Sequence, residues 1–293
     1  MGAVDNLLTG AVDLHCHSGP SPMPRRITHA EAARQADKAG FRAIVAKCHY
    51  HDTTTDILAM APLLDGLRVQ VFGGIALNSQ NGGLNPFAVD RCLKMGGKII
   101  WFPTISSHAH LRHAAHDEEV ARHFQPRGMM LSEEISIFGA DGDLKPEVHQ
   151  IIGQAKEAGA LISTGHLGPK PARALVEAAV AAGHDKLILS HPNFVVAVER
   201  QQAAELAGLG AVIEHELGMY VNERRFKLTV LLDWINLIGP ERTSLGSDLG
   251  QVNNPLPIEA YKQVVGNLLD SGVKEKDIQL MIRDNPARLI GLG

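Results

Sequence analysis

The chain has 293 residues, 45% of them hydrophobic and 20% charged, which is enough to bury a large core as one big domain or two small ones. A formal net charge of -4 without basic runs argues against nucleic acid or an anionic membrane surface as the main partner. No segment approaches the roughly 18 apolar residues of a membrane span, the segment Met1–Gly10 lacks the features of a signal peptide, and the three cysteines form no disulfide framework. We therefore expect a cytoplasmic protein that acts on a small-molecule substrate.

Eight short β-rich segments alternate with helical patterns along the chain. Most of them are continuous apolar runs, which are typical of parallel strands covered on both faces. Eight strands alternating with helices over this length favour a (β/α)8 TIM barrel. The rival is a doubly wound open sheet, which requires a glycine-rich phosphate loop that the sequence lacks. The predicted strands are Ala11–His17, Ala43–His49, Val69–Leu77, Lys98–Thr104, Ala160–His166, Lys186–His191, Ala211–His215 and Thr243–Asp248.

Helix-start and helix-stop residues mark the segments between the strands. Thr28 and Glu31 have the spacing of a capping box, for a helix that ends at Gly40. Proline begins, and glycine follows, the helices predicted at Pro146–Ala158 and Pro171–Ala182. The remaining predicted helical segments are Val195–Leu206, Glu223–Ile238, Ile258–Leu269 and a closing helix with its tail, Lys274–Gly293.

The segment from Ser106 to Gly142 is long for a connection in such a barrel. It contains a polar, histidine-rich predicted helix at about His108–Phe124, and a hairpin is one interpretation of Met129–Phe138. Insertions at the C-terminal ends of strands build the substrate pockets of barrels. Because we find no internal repeat and no linker, we interpret residues 1–293 as a single domain with an insertion at about 106–142 near the active-site face.

Histidine or aspartate ends several predicted strands, and in a barrel these ends form the active-site rim. His15 and His17 are alternate residues, so they share one face of the first strand. Any one such residue would more often be a cap or an ordinary polar group, but their convergence on one rim predicts a site for Zn²⁺, Mn²⁺ or Fe²⁺. The other rim residues are Lys47, His49 and His51 on the second strand, His166 on the fifth, His191 on the sixth, Glu214, His215 and Glu216 on the seventh and Asp248 on the eighth.

This pattern resembles the amidohydrolase superfamily of metal-dependent hydrolases. The resemblance implies that His15, His17 and Asp248 hold the more buried metal. It also implies that His166 and His191 hold a second metal, and that Asp248 takes the proton from the attacking water. Zinc is the favoured ion, with one or two ions per chain. The pieces that match the family, in its order and over nearly the whole chain, are His15-Cys16-His17, His166, His191, Asp248 and the tail Asp284–Gly291.

The chemistry of such a site follows from its donors. A metal lowers the pKa of its bound water from about 15.7 to near 7 and polarises a carbonyl group, while a carboxylate such as Asp248 acts as general base and then as general acid. These functions predict hydrolysis of an amide, cyclic amide, ester or thioester in a small organic substrate. His191 is the second predicted catalytic residue, because it would orient the water if only one metal is bound. The main alternative is a metal-dependent decarboxylase of the same superfamily.

The sequence departs from the family at the end of the fourth strand. Binuclear members generally carry a carboxylated lysine or a glutamate there, whereas this strand ends in Trp101–Thr104. Three replacements stay open. In the first, Lys47 or His49 of the second strand supplies the missing ligand, and His49 is favoured. In the second, Glu133 or Glu134 of the insertion supplies it. In the third, no residue replaces it and the site holds one metal.

Four residues are weaker candidates for contact with substrate, namely Lys47, His51, Arg25 and His215. Arg25 and its neighbour Arg26 follow the first strand, where a guanidinium can bind a substrate carboxylate. Lys47 is equally well explained by a rim salt bridge, and His215 by an ordinary polar contact. Barrels of this kind often form dimers or larger assemblies, although no sequence patch marks an interface.

Overall fold

Eight parallel strands form the centre of the computed structural model, which describes residues 2–117 and 128–293. Each strand pairs in parallel with the next one along the chain. All eight predicted strands are therefore confirmed. Their bounds are β1 Val12–Cys16, β2 Ala43–Ala46, β3 Gln70–Phe72 and Gly74–Ala76, β4 Ile99–Trp101, β5 Leu161–Ser163, β6 Leu187–Ser190, β7 Val212–Glu216 and β8 Thr243–Gly246.

The strands form a closed ring, although β3 is interrupted at Gly73. The first half of β3 pairs with β2 and its second half with β4, and a Cβ atom at Gly73 would lie 2.5 Å from the backbone nitrogen of Thr54. Between β8 and β1, Cys16 and Leu249 form a parallel bridge, and the backbone N–H of Asp248 donates to the carbonyl of His15 at 2.8 Å. The fold is the predicted (β/α)8 barrel.

Apolar side chains fill the barrel interior and the layer between strands and helices. Val12, Leu14 and Val45 belong to an interior cluster that also contains Leu289 and Ile290 from the end of the chain. The C-terminal segment therefore closes one end of the barrel, which leaves the carboxyl ends of the strands as the open face for a site.

Thirteen described helices surround the ring, and several predicted bounds hold. Thr28 and Glu31 form the predicted capping box, and the helix at Pro146–Ala158 has the predicted ends. The helices are α1 Ala3–Leu8, α2 His29–Lys38, α3 Thr54–Ala59, α4 Ala61–Leu64, α5 Pro86–Lys94, α6 His108–His116, α7 Pro146–Ala158, α8 Pro169–Ala181, α9 Arg200–Gly208, α10 Leu228–Ile238, α11 Pro257–Asp270, α12 Glu275–Gln279 and α13 Asn285–Leu289, with a π-helical turn at Leu280–Asp284.

Two predicted helix starts are wrong, for the same reason. Helices α9 and α10 begin at Arg200 and Leu228, several residues after the predicted starts. Ala197 has a φ of 50°, and Asn222 and Glu223 have φ values of 55° and 51°. This left-handed backbone is incompatible with a right-handed helix, so the polar pattern before each helix is a loop.

The insertion contains helix α6 but not the predicted hairpin. Residues 118–124 of the predicted helix lie outside the described residues, and residues 128–142 contain no regular strand. The backbone N–H of Ile135 donates to the carbonyl of Ser106 at 2.8 Å, so this extended segment is attached to the rim.

Across residues 2–117 and 128–293, we find no helix with both the length and the apolar surface needed to cross a membrane.

Candidate metal centre

Five histidine rings form a closed circuit at the carboxyl ends of the strands. Going round, the ring centroids of His15 and His17 are 5.3 Å apart, those of His17 and His49 are 4.9 Å apart, and those of His49 and His166 are 5.8 Å apart. His191 completes the circuit, 4.9 Å from His166 and 5.3 Å from His15. All five side chains are buried. The structure thus brings together every histidine that the sequence predicted as a ligand, and we call this group the histidine ring.

Local backbone features place these side chains. His166 follows β5 through Gly165, whose φ is +60° and where a Cβ atom would lie 2.0 Å from the carbonyl oxygen of Phe102. His191 follows β6 with a φ of 54°, an uncommon conformation for a residue with a side chain. Such strain is concentrated at functional sites, and here it occurs where two of the ring histidines leave their strands.

Asp248 lies beside the first two histidines. Its Oδ1 atom is 3.1 Å from Nε2 of His17 and 3.4 Å from Nε2 of His15. Asp248 also has a left-handed backbone, with a φ of 53°. One carboxylate oxygen and two imidazole nitrogens therefore lie close together, and they belong to the three residues that the resemblance implies as ligands of the more buried metal.

Two carboxylates of β7 support the ring, and the sequence analysis did not assign either of them a role. Glu214 Oε2 lies 3.1 Å from Nδ1 of His15 and accepts a hydrogen bond from Ser190 Oγ at 2.7 Å. Glu216 accepts from the backbone N–H of His191 at 2.8 Å, and its Oε2 lies 3.2 Å from Nδ1 of the same residue. The signal that could have found them is their alternation on β7, which gives both the same face of the strand.

His215, between these two residues, lies on the opposite face of β7. Its ring centroid is 5.4 Å from that of Trp234 in α10, and its Nδ1 is 3.3 Å from the hydroxyl of Tyr220. Burial lowers the pKa of His215 to about 3. The structure therefore does not bring His215 to the histidine ring, and the prediction of contact with substrate has no support from its position.

Lys47 is fully buried among the rim residues. Its Nζ atom lies 2.8 Å from Nε2 of His15 and 5.4 Å from the ring centroid of Trp101. Burial lowers the pKa of Lys47 to about 8, although the charges of Asp248 and Glu214 favour the ammonium form. Lys47 is thus an interior residue of the site and forms no salt bridge with any residue that the structure describes.

Thr104 and His110 hold two ring histidines from outside. In the segment after β4, where the sequence resemblance implies a bridging ligand, Thr104 Oγ1 lies 2.8 Å from Nδ1 of His49. His110 of α6 stacks on His166 with their Nδ1 atoms 3.0 Å apart. Neither Thr104 nor His110 was identified from the sequence, since each contact joins segments far apart in the chain.

The histidines of the ring differ in charge. Burial lowers the pKa of His15 to about 3, with a further contribution from the charge of Lys47. Burial also lowers the pKa values of His17, His49 and His166 well below the usual range. For His191 burial acts in the same direction and is the largest single cause, but the carboxylates of Glu216 and Asp248 together outweigh it and raise the pKa. Four of the five rings are therefore neutral imidazoles, the form that binds metal ions.

The donor atoms fit a divalent metal. One set consists of His15, His17 and Asp248, and a second of His15, His191 and Glu216; within each set the ligand atoms lie within 4.8 Å of one another. Within the described part of the chain, the buried Nε2 atom of His166 has no hydrogen-bond partner. A buried nitrogen is rarely left without a partner, and a metal ion would provide one.

A protein-family profile, described as a family of unknown function (DUF6282), matches residues 10–214. The chain belongs to this family. The matched region contains all five histidines of the ring and ends before Asp248. A search of curated proteins gave no match.

Solved structures show what the barrel resembles. An amidohydrolase from Pseudomonas aeruginosa aligns over 99% of this chain and 98% of its own, with a TM-score of 0.65 and 12% identity. A probable 2-pyrone-4,6-dicarboxylic acid hydrolase from Acinetobacter baumannii aligns over 97% and 100%, with a TM-score of 0.58 and 12% identity. A 2,6-dihydroxybenzoate decarboxylase from Rhizobium aligns over 97% and 99%, with a TM-score of 0.58 and 14% identity. This member of the DUF6282 family therefore has an amidohydrolase-type barrel, and the predicted resemblance is confirmed for the fold.

The remaining predicted site residues lie around the ring. In this DUF6282 protein, His51 is partly exposed and its Nε2 is 2.6 Å from Oδ2 of Asp56. Glu133 and Glu134 are exposed, and Glu134 lies 3.0 Å from Nδ1 of His108, so neither is brought to the ring. Arg25 lies in the loop after β1 with part of its guanidinium buried.

Proposed function

We propose that this protein is a metal-dependent hydrolase that cleaves an amide, cyclic amide, ester or thioester bond of a small organic substrate. The observation that supports the proposal is the closed ring of five buried histidines with Asp248 beside it. Neutral imidazoles are common ligands of divalent metals, and a structural role in the core does not require five of them to converge at one end of the barrel.

The site would hold one or two divalent ions, with zinc favoured and manganese or iron as alternatives. His15, His17 and Asp248 would hold the first ion, and His166 and His191 the second. We favour His49, oriented by Thr104, as the replacement for the ligand that relatives take from the fourth strand. A bound divalent ion supplies Lewis acidity, which makes water acidic enough to ionise near neutral pH and polarises a carbonyl.

The chain's own residues would then handle the protons and the orientation. Asp248 is the carboxylate positioned to take a proton from water and to return it to the leaving group. Glu216 accepts a hydrogen bond from the backbone N–H of His191 and also lies beside the ring of that histidine. Glu214 lies beside the ring of His15. Such outer partners fix the tautomer and the direction of a ligating imidazole.

A decarboxylase is the second candidate. One observation favours it: the segment that follows β4 carries Thr104, which hydrogen-bonds to His49 and cannot bridge two metals in the way a carboxylated lysine does. A site with one ion would then be complete, and one structural neighbour is named a decarboxylase. Carbon dioxide release from aromatic and unsaturated acids would distinguish this reaction from hydrolysis.

The experiment that tests the proposal measures metal and turnover on the same samples. Protein purified without chelator is analysed for metal per chain and assayed on a panel of amides, cyclic amides, esters, thioesters and carboxylic acids. We expect one or two ions per chain, and loss of turnover in His15→Ala and Asp248→Asn while the exposed His149→Ala variant is unaffected. Full turnover in both site variants would exclude the proposed mechanism. A His49→Ala variant that loses one of two ions would support His49 as the replacement ligand.

A further inference from the structure

Arg25 is fixed in the loop after β1 by contacts with two other segments. Its backbone forms an antiparallel bridge with Gln251, in the loop after β8. A Cβ atom at Gly19 would lie 3.0 Å from Cγ of Arg25, so the absent side chain of Gly19 leaves room for the arginine stem. Arg25 therefore connects the loops that follow the strands of His15 and Asp248.

The guanidinium of Arg25 has one edge without partners. Its Nε and Nη2 atoms are buried, and neither has a hydrogen-bond partner among the described residues. These two nitrogens carry the parallel N–H bonds that bind both oxygens of a carboxylate in a bidentate pair. A guanidinium stays charged at physiological pH, and a buried charge without a partner is strongly unfavourable. The edge is therefore suited to an anion from outside the chain.

The charge of Arg25 acts directly on the histidine ring. After burial itself, Arg25 is the largest cause that lowers the pKa of His17, and it also lowers that of His49. It attracts Asp248 as well.

The neighbouring Arg26 shows the contrast within one loop. Its side chain is exposed, Nη1 donates to the backbone carbonyl of Asn254 at 2.7 Å, and Glu259 lies 4.0 Å away. Arg26 thus has partners and solvent, whereas the Nε–Nη2 edge of Arg25 has neither within the part of the chain that the structure describes. Arg26 is therefore a matched control.

We propose that Arg25 binds a carboxylate of the substrate through its Nε–Nη2 edge, so that the hydrolase acts on an organic acid whose reacting group lies at the histidine ring. This inference rests on the proposed function, because it takes the ring as the place of reaction. The carboxylate held by Arg25 is a binding group that stays intact in the product. Arg25 is thus a specificity-determining residue.

The test compares dicarboxylates with monocarboxylates of the same chain length on zinc-loaded protein. Malonate, succinate, glutarate and adipate are titrated by calorimetry against the matching monocarboxylates. We expect at least one dicarboxylate to bind about ten-fold tighter or more than its partner, since its second carboxylate gains charge-assisted hydrogen bonds. This gain in affinity should disappear in Arg25→Gln and persist in Arg26→Gln. It should become smaller in Arg25→Lys, because lysine keeps the charge but cannot form the bidentate pair. An equal gain in wild type and Arg25→Gln, or no gain in any pair, would overturn the inference.

A stability measurement separates binding from a structural role. Because the edge is unpaired, Arg25→Met should leave the melting temperature unchanged or raise it, whereas an arginine that holds the loop together would lower it on removal. A lower melting temperature for Arg25→Met than for Arg26→Met would contradict the inference. If elemental analysis finds no metal, the proposed function fails, whatever the result for Arg25. The carboxylate site at Arg25 is then tested alone: it is supported if the metal-free wild type binds butyrate and Arg25→Gln does not, and it is contradicted if both proteins bind it or neither does.

Discussion

The ammonium nitrogen of Lys47 lies 2.8 Å from Nε2 of His15, the same nitrogen that lies 3.4 Å from Oδ1 of Asp248. In the proposed site, a metal held by His15 and Asp248 would therefore compete with the Lys47 ammonium for one imidazole nitrogen. The buried amine, with its pKa lowered to about 8, gives up this position more readily as the pH rises.

We predict that Lys47→Met retains metal and binds it more tightly than wild type below pH 8. Removing a positive charge this close to the ion should raise affinity by about ten-fold or more, and the wild-type affinity should depend more steeply on pH. The measurement is zinc affinity by competition with a chromophoric chelator between pH 6 and 9. Lys98→Met, at the other end of the barrel, is the control. Loss of metal in Lys47→Met would instead identify Lys47 as the ligand that replaces the fourth-strand bridge.

Glu216→Gln should weaken the binding of a metal ion at His191. The substitution keeps the shape of the side chain but removes the charge that raises the pKa of His191 and orients its ring. Loss of such an outer partner typically costs 10- to 100-fold in metal affinity or activity. Metal content and turnover are compared with those of Glu157→Gln, an exposed glutamate on α7. A Glu216→Gln protein with wild-type metal content and rate would show that Glu216 only packs.

The five histidines of the ring could be predicted as one cluster from the sequence because each lies at the end of an apolar strand whose type and order are evident. Which residues of β7 face the histidine ring could not be predicted in this way, since Glu214-His215-Glu216 places polar side chains on both faces of the strand. A shift of one residue in register exchanges those faces; only the pairing of Glu214 with Ser190 places the glutamates inside. Contacts such as Thr104 with His49, or His110 with His166, depend on loop conformation, which local sequence does not determine.

His51 should make stability depend on pH outside the histidine ring. The hydrogen bond with Cys48, followed by that with Asp56, raises the pKa of His51 to about 9. Because this lies above the unfolded value of about 6.5, the contribution to stability is fully present below about pH 6.5 and is lost as the pH rises towards 9. The side chain is 33% exposed, so solvent reduces the effect.

Urea unfolding of wild type and His51→Gln at pH 6, 7.5 and 9 measures this contribution. The free energy of unfolding of wild type should fall relative to that of His51→Gln over the interval. His149→Gln, an exposed control, should follow the wild-type profile. Parallel curves for wild type and His51→Gln would show that the protonated His51, with its contacts to Cys48 and Asp56, contributes nothing to folding.

Gly165→Ala should disturb both the fold and the metal site, because the backbone before His166 has no room for a side chain. A Cβ atom there would lie 2.0 Å from the carbonyl oxygen of Phe102 and 2.9 Å from that of Pro103, whose carbonyl accepts the N–H of His166 at 3.0 Å. The turn must shift, and His166 with it. We expect a loss of stability of about 3 kcal/mol or more.

Gly159→Ala provides the control for Gly165→Ala. Gly159 has nearly the same φ, +61°, at the end of α7, but the nearest atom to its added Cβ is the side-chain Nζ of Lys186 at 3.5 Å. This substitution should cost only about 1 kcal/mol and leave metal content unchanged. Urea unfolding with elemental analysis compares the two variants. If Gly165→Ala behaved like Gly159→Ala in both measurements, His166 would be positioned by its contact with His110 and not by the close approach of Gly165 to β4.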